Sequence, residues 1–305
     1  MNFEELLNDK KALARIITEI ENDNNELASE ALRKIKGARI IGITGVFGCG
    51  KSTLISKIAQ KFASNGEYVG ILGIDPSSPL TGGAVLGDRI RMRELNRYDN
   101  VFIRSISSGR KLGGISYHTP DIVNVLDAAG FNTILIETVG SGQDEVDIMH
   151  IADTVIVVIV PLLGDEVQVI KAGQFEIGDI FIVNKADQGP ADEKIKEMTL
   201  VLKERKDGWT PKIIKSVAIK NQGIDEILKA IMEHWQFLNK IGKKKIKERI
   251  LYTIKQHAIK RMESIIENES VEKYVESIMN GNDINNVIDR LMVEMGMDYG
   301  KGRNI

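Results

Sequence analysis

Gly45-Val46-Phe47-Gly48-Cys49-Gly50-Lys51-Ser52, followed by Thr53, fits the pattern G-x-x-x-x-G-K-[ST]. Residues of these types at this spacing bind phosphate. The glycines let the backbone curl until consecutive N–H groups point inward, and the N-terminus of the following helix adds partial positive charge. Lys51 is placed to reach the β- and γ-phosphates of a nucleotide, and the Ser52 hydroxyl to hold Mg²⁺. The flanks agree: residues 38–44 read as a short buried strand, and residues 52–62 carry apolar side chains at helical spacing.

A second group follows the strand-like run 180–183: Asn184-Lys185-Ala186-Asp187. A carboxylate at Asp187 accepts two hydrogen bonds from guanine, at its ring N–H and its exocyclic amine. Adenine leaves it unpaired, a mismatch worth about 2–5 kcal/mol. Ser216-Val217-Ala218, after the next strand, offers a backbone N–H to the guanine carbonyl. Asp75 ends the run 68–74, Asp88 follows in Leu86-Gly87-Asp88, and Glu137 ends the run 133–136 with Gly140 three residues on. Acidic residues at strand ends beside a phosphate loop suit a Mg²⁺ site, directly or through water. Asp88 has a second reading, as the cap of a helix over 89–97. Glu137-Thr138-Val139-Gly140 stands where GTPases carry D-x-x-G, with the glycine N–H sensing the γ-phosphate.

The elements that position these residues alternate. Strand-like runs at 38–44, 68–74, 101–105, 133–136, 154–160, 180–183 and 212–216 are separated mostly by helix-like segments, one opened by Thr119 as cap with Pro120 in the first turn. Near-continuous Val/Ile runs between helices predict an α/β, P-loop NTPase fold: a central, mostly parallel sheet covered on both faces, with phosphates at the strand C-termini. Residues 1–37 read as an N-terminal helical extension, with Asn8 or Asp9 capping its second helix. Residues 38–235 form the nucleotide domain, and 236–305 a C-terminal helical arm. In the arm, Ile246, Ile250 and Ile254 recur on one helix face, and shorter helices follow over 271–279 and 283–295.

Composition narrows the classes. Lys and Arg total 41 against 43 Asp and Glu in 305 residues, a net charge of −2, so nucleic acid is not the expected partner. Aromatic residues, at 5%, are too sparse for a base-stacking surface. One cysteine excludes an internal disulfide and fits a reducing cytoplasm. The first residues do not form a signal peptide, and the most apolar run, 155–160, is too short to span a bilayer, so no membrane partner is expected.

Taken together, the stretches LARIITEIE (13–21), GITGVFGCGKST (42–53), GIDPSSPLTGGAVLGDRIRM (73–92), LGGIS (112–116), ILIETVGSGQDE (134–145), GDEVQVIKAG (164–173), NKAD (184–187) and GIDEI (223–227) resemble the MeaB/ArgK family of P-loop GTPases. The resemblance covers about residues 5–230. It implies a homodimeric GTPase that chaperones a coenzyme B12-dependent acyl-CoA mutase, most often methylmalonyl-CoA mutase, gating cobalamin loading and helping to replace damaged cofactor. It also implies that Ser52, Asp75, Asp88 and Glu137 form the Mg²⁺ set, with Lys51, Asp88 and Glu137 serving catalysis. Residues 163–171 then form a switch that answers to the partner, and the C-terminal helices a dimerisation arm.

Some residues depart from the family. Phe47 stands where proline is usual, and residues 104–111 lack the usual prolines. Gln143 lies two places later than the water-positioning glutamine of Ras-like proteins and reads better as a turn or interface residue. Four histidines without metal-ligand spacing count against the nickel-inserting GTPases. Cys49 reads as a small loop residue in preference to a redox sensor. The alternative function is a P-loop kinase of a transport system; it requires an acceptor pocket with a base, and no such set of residues is visible in the sequence.

Overall fold

The structure, a computed structural model, describes residues 2–75, 92–107, 115–138, 147–161, 176–242, 244–266 and 272–294. Seven parallel strands make one sheet: β1 Arg39–Thr44, β2 Val69–Asp75, β3 Val101–Ser107, β4 Thr133–Glu137, β5 Thr154–Ile159, β6 Ile180–Val183 and β7 Lys212–Lys215. Their order is β3-β2-β4-β1-β5-β6-β7. The seven expected strands are these, within one or two residues at their ends. Nine α-helices are described: α1 Lys10–Glu21, α2 Asn25–Leu32, α3 Lys51–Ser64, α4 Thr119–Ala129, α5 Ala191–Val201, α6 Ile224–Ile241, α7 Lys244–Ile266, α8 Glu272–Met279 and α9 Ile284–Glu294. None is long and apolar enough to cross a membrane.

Strand alternation builds two cores from one sheet. Ile40, Ile134, Ile136, Val155, Val157, Phe181 and Val183 face one layer. Ile41, Ile43, Leu135, Ile156, Val158, Ile180 and Ile182 face the other, against Leu54, Ile55 and Ile58 of α3 and Ile224, Ile227 and Ile231 of α6. Both faces are apolar because helices cover both, which is why the strands read as unbroken Val/Ile runs.

The N-terminal segment is part of the first core. Asp9 caps α1 by accepting from the N–H groups of Lys11 and Ala12. Leu13, Ile16, Ile17 and Ile20 then pack in the cluster that holds Ile122, Val123 and Leu126 of α4. Every residue of α4 is buried as a result. The α4 cap departs from expectation: His118 is the cap residue, and Thr119 is already helical, with its hydroxyl buried and unpartnered. Pro120 opens the helix without a side-chain cap bond.

At the strand N-termini, Asp127 Oδ1 accepts from the backbone N–H groups of Lys36, Gly37 and Ala38 at 2.8, 2.8 and 3.1 Å. Asp153 Oδ2 accepts from Ile40 N at 2.9 Å. The guanidinium of Arg249 from α7, 2% exposed, lies 3.6 Å from Asp127 and 3.9 Å from Asp153. Burial pushes the Asp153 carboxyl up to about 6, with Arg249 opposing. This ion set replaces the expected apolar contact along α7. Arg249, Tyr252 and Thr253 are buried, whereas Ile250 is half-buried and Ile254 is 58% exposed. The chain divides into compact units at this helix, one ending at Thr253 and one running from Ile254 to Ile305. In the second unit, α8 and α9 pair and bury Tyr274 and Val287.

His234 of α6 is 1% exposed. Its Nδ1 lies 2.8 Å from Thr154 Oγ1, and its Nε2 lies 3.6 Å from Asp179. Burial pushes its pKa from 6.5 down to about 3, helped by Lys245 and Arg205 against Asp207. Asp179, bound by Arg205 at 2.6 Å, is pushed up by burial to about 6. These shifts have opposite signs in stability. Below pH 6.5 the unfolded chain binds a proton at His234 that the fold refuses, so stability falls with acid. Between about pH 4 and 6 the folded Asp153 and Asp179 bind protons first, so stability rises with acid. His234→Gln removes only the first effect. The stability advantage of wild type over the variant should shrink by up to about 1.4 kcal/mol per pH unit as pH falls from 6.5 to 4. Urea denaturation at stepped pH measures it, and a constant difference would contradict a neutral His234.

Candidate functional site

The phosphate loop leaves β1 at Thr44 and enters α3 at Lys51. Gly45 has φ +137, and a Cβ there would sit 2.1 Å from the Val158 carbonyl oxygen of β5. Gly50 caps α3 with φ +98, and a Cβ there would sit 2.5 Å from Asn184 Nδ2. Gly48, at φ +80, faces open space. The loop therefore needs glycine for two different reasons: backbone handedness alone at Gly48, and handedness plus close approach at Gly45 and Gly50. Lys51 is buried, and its ammonium donates to the carbonyls of Gly45 at 2.6 Å and Val46 at 3.3 Å. Thr53, in the first turn of α3, is half-buried. Cys49 is 1% exposed; burial pushes its thiol up despite nearby Lys51, which suits a small packed residue and not a reactive thiolate. Phe47, by contrast, is 82% exposed at the loop tip.

Ser52 Oγ donates to Glu137 Oε1 at 2.7 Å. Glu137 ends β4 in register with Ile43 of β1 and Gly73 of β2, so Asp75, two residues beyond Gly73, ends its strand at the same edge. Both carboxylates are buried. The end of β4 is tied to β1 by Thr138, which donates from N to Ile43 O at 3.2 Å and from its hydroxyl to Thr44 Oγ1 at 3.0 Å. The Ser52 hydroxyl and the Glu137 carboxylate already meet, and hard oxygens of this kind fit Mg²⁺, which takes one or two carboxylates and completes its shell with phosphate and water. Among the described residues no group of three or more His, Cys, Asp or Glu forms a metal cluster of its own. Asp88, Gly140, Gln143 and residues 163–171 lie outside the described residues.

Asn184 sits at the end of β6, 2% exposed. Its Nδ2 donates to Cys49 O at 2.8 Å, and its Oδ1 accepts from Ala218 N at 3.2 Å. One amide thus joins the phosphate loop to the loop after β7. Lys185 is left-handed at φ +54, and Ala186 N donates to Ser216 O at 3.1 Å, which turns Asp187 to the surface. The backbone N–H groups of Ser216, Val217 and Ala218 are all engaged, by Val183 O, Gln222 O and Asn184 Oδ1 respectively. A base carbonyl at Ala218 would therefore share its donor with Asn184. The Ser216 hydroxyl is buried and unpartnered. Asp187 Oδ2 is 2.7 Å from the ammonium of Lys220, which holds the carboxyl below its ordinary range. Sequence reasoning missed Lys220 and Thr138: the first lies 33 positions from its partner and outside any motif, and the second fills a position that the D-x-x-G pattern leaves open.

The fold is that of a P-loop NTPase. A family model described as "Methylmalonyl Co-A mutase-associated GTPase MeaB" matches residues 13–276, and the chain belongs to that family of GTPases. A protein of Pyrococcus abyssi that carries a GTPase name is 49% identical over 250 residues, covering 79% of this chain and 77% of that one. GTPase ArgK of Escherichia coli is 34% identical over 209 residues, covering 67% and 63%. The mitochondrial methylmalonic aciduria type A homolog of Caenorhabditis elegans is 35% identical over 210 residues, covering 66% and 52%. The solved structure of a LAO/AO transport system kinase shares the fold, with a TM-score of 0.70 at 22% identity over 95% of this chain and 94% of that one.

The two reasons for glycine separate experimentally. Gly48→Ala should cost about 1–2 kcal/mol, the left-handed penalty alone. Gly45→Ala adds a clash with a backbone carbonyl that cannot swing away, and should cost distinctly more. Denaturant unfolding of the two variants gives the order, and equal losses would contradict the geometry.

Proposed function

We propose that this protein hydrolyses GTP to GDP and phosphate, and that hydrolysis times its action as a chaperone of a coenzyme B12-dependent acyl-CoA mutase, methylmalonyl-CoA mutase first among the candidates. The observation that carries the nucleotide half is the single Asn184 amide bonded to Cys49 and Ala218, which makes one site of the phosphate loop and the base loop. Asp187 reads the two guanine N–H groups. The loop amides and Lys51 hold the β- and γ-phosphates, the ammonium exchanging the carbonyls of Gly45 and Val46 for phosphate oxygens. Ser52, Glu137, Asp75 and Asp88 would hold Mg²⁺, which when bound neutralises charge on the transferring phosphate. Gly140 senses the γ-phosphate. The mutase half rests on the family and on the name of the Caenorhabditis relative. Residues 163–171, with Asp165, Glu166 and Lys171, are the segment through which docking would reach the nucleotide. The protein acts as a cytoplasmic homodimer, its second copy docking through the helices after Thr253.

Base specificity tests the nucleotide half. GTP and GDP should bind far better than ATP, and Asp187→Asn should shift preference to xanthine nucleotides, whose carbonyl replaces the amine. Titrations of the three base types against both proteins decide it; equal wild-type affinity for ATP and GTP ends this reading.

One experiment covers both protein partners. Sedimentation of the protein alone should give a dimer at micromolar concentration, and adding the mutase should change GTP turnover. Reversing the charge of Asp165 or Lys171 should reduce the mutase-stimulated rate more than the basal one. A monomer removes the arm from the proposal, and loss of both rates by one common factor removes the switch.

A further inference from the structure

Lys220 belongs to no motif, yet its ammonium lies on Asp187, the carboxylate proposed to read the base. The turn that carries it is fixed at both ends. Ala218, where the 3-10 turn Ala218–Lys220 begins, donates its N–H to Asn184. Just outside the turn, Val217 and Gln222 exchange backbone bonds, Val217 N to Gln222 O at 3.1 Å and Gln222 N to Val217 O at 3.3 Å. Asn221 closes it in the left-handed region at φ +56, and Gly223 packs where a Cβ would meet Lys215 O at 2.2 Å. The carboxylate side is equally set: Lys185 is left-handed and its carbonyl accepts from Gln188 N at 2.9 Å, a tight turn around Asp187. The 2.7 Å contact between Lys220 Nζ and Asp187 Oδ2 therefore joins two fixed turns.

An exposed lysine–carboxylate pair adds little to stability in general, and these side chains are 54% and 31% exposed. What distinguishes this one is the acceptor. Reading guanine takes both oxygens of one carboxylate, held coplanar with two parallel N–H donors. A carboxylate has about four lone-pair sites, so one ammonium on Oδ2 leaves sites on both oxygens for the base. It also restrains rotation about the bond that sets that plane.

We infer that Lys220 is a specificity-determining residue that positions Asp187 for the two-point reading of guanine. The inference rests on Asp187 being the base reader, and the test separates the two. GDP and inosine diphosphate carry the same charge and differ by the exocyclic amine, so their affinity ratio reports the second hydrogen bond. Loss of a nearby positive charge cancels from that ratio. Titrations of both nucleotides against wild type, Lys220→Met, Lys220→Arg and Asp187→Ala give four ratios. Lys220→Met should lower the ratio by at least about threefold, part of a charge-assisted hydrogen bond, and Lys220→Arg should restore most of it. Asp187→Ala should collapse it. A ratio unchanged or raised in Lys220→Met, with Asp187→Ala collapsed, overturns the role of Lys220 and leaves the base reader standing. A ratio unchanged in Asp187→Ala overturns the base reader and this inference with it.

Discussion

The side-chain amide of Asn184 is the interaction on which the site depends. Its donor and its acceptor are both used, on residues 135 and 34 positions away. Neither partner can be lost cheaply, because a buried amide group left unmatched costs about 1–3 kcal/mol. The bond also dictates sequence elsewhere: Gly50 has no room for a Cβ because Asn184 Nδ2 occupies it. β6 reaches the phosphate loop across the end of β5, and β5, lying between β6 and β1, brings its Val158 carbonyl against Gly45. Phosphate loop, β5 and base loop form one rigid edge, which is the preorganisation that charge stabilisation on a phosphate requires.

The opposite edge of the sheet solves a different problem. Asp127 and Asp153 bind backbone N–H groups that enter β1, and both are buried. Two anions there would repel one another without Arg249, so the start of α7 is drawn in by charge and not by an apolar stripe. The core between the two edges is apolar, mostly Val, Ile and Leu with Phe181 among them. The polar contacts described above gather at the strand ends, where backbone groups run out of ladder partners.

What could be read from the sequence follows from this division. The strands were legible because burial on both faces leaves Val/Ile runs such as 180–183, and the loops after β1 and β6 stood out because the chemistry proposed for them admits few residue types. Thr119 misled because a cap is decided by where the chain turns, and the turn at His118 is fixed by Ser116, whose carbonyl accepts Thr119 N. The Ile246–Ile250–Ile254 row misled because periodicity cannot show that Asp127 and Asp153 await a guanidinium. Lys220 was invisible for the same reason: its partner is near only after β6 and β7 are paired.

Exposed apolar side chains bear on the proposed dimer by pattern and not by number. Phe47 and Ile219 are exposed singly, and single surface hydrophobics need no partner. The pair α8–α9 is different. It uses Tyr274 and Val287 for its own packing, while Val275, Ile278 and Met279 on α8 and Ile284 and Ile288 on α9 remain exposed at spacings of three and four. Side chains so spaced share one helix face. An exposed apolar face of this kind is what the proposed dimer would bury. In the proposed dimer a second copy would supply the same face at the same spacing, as a two-fold interface requires.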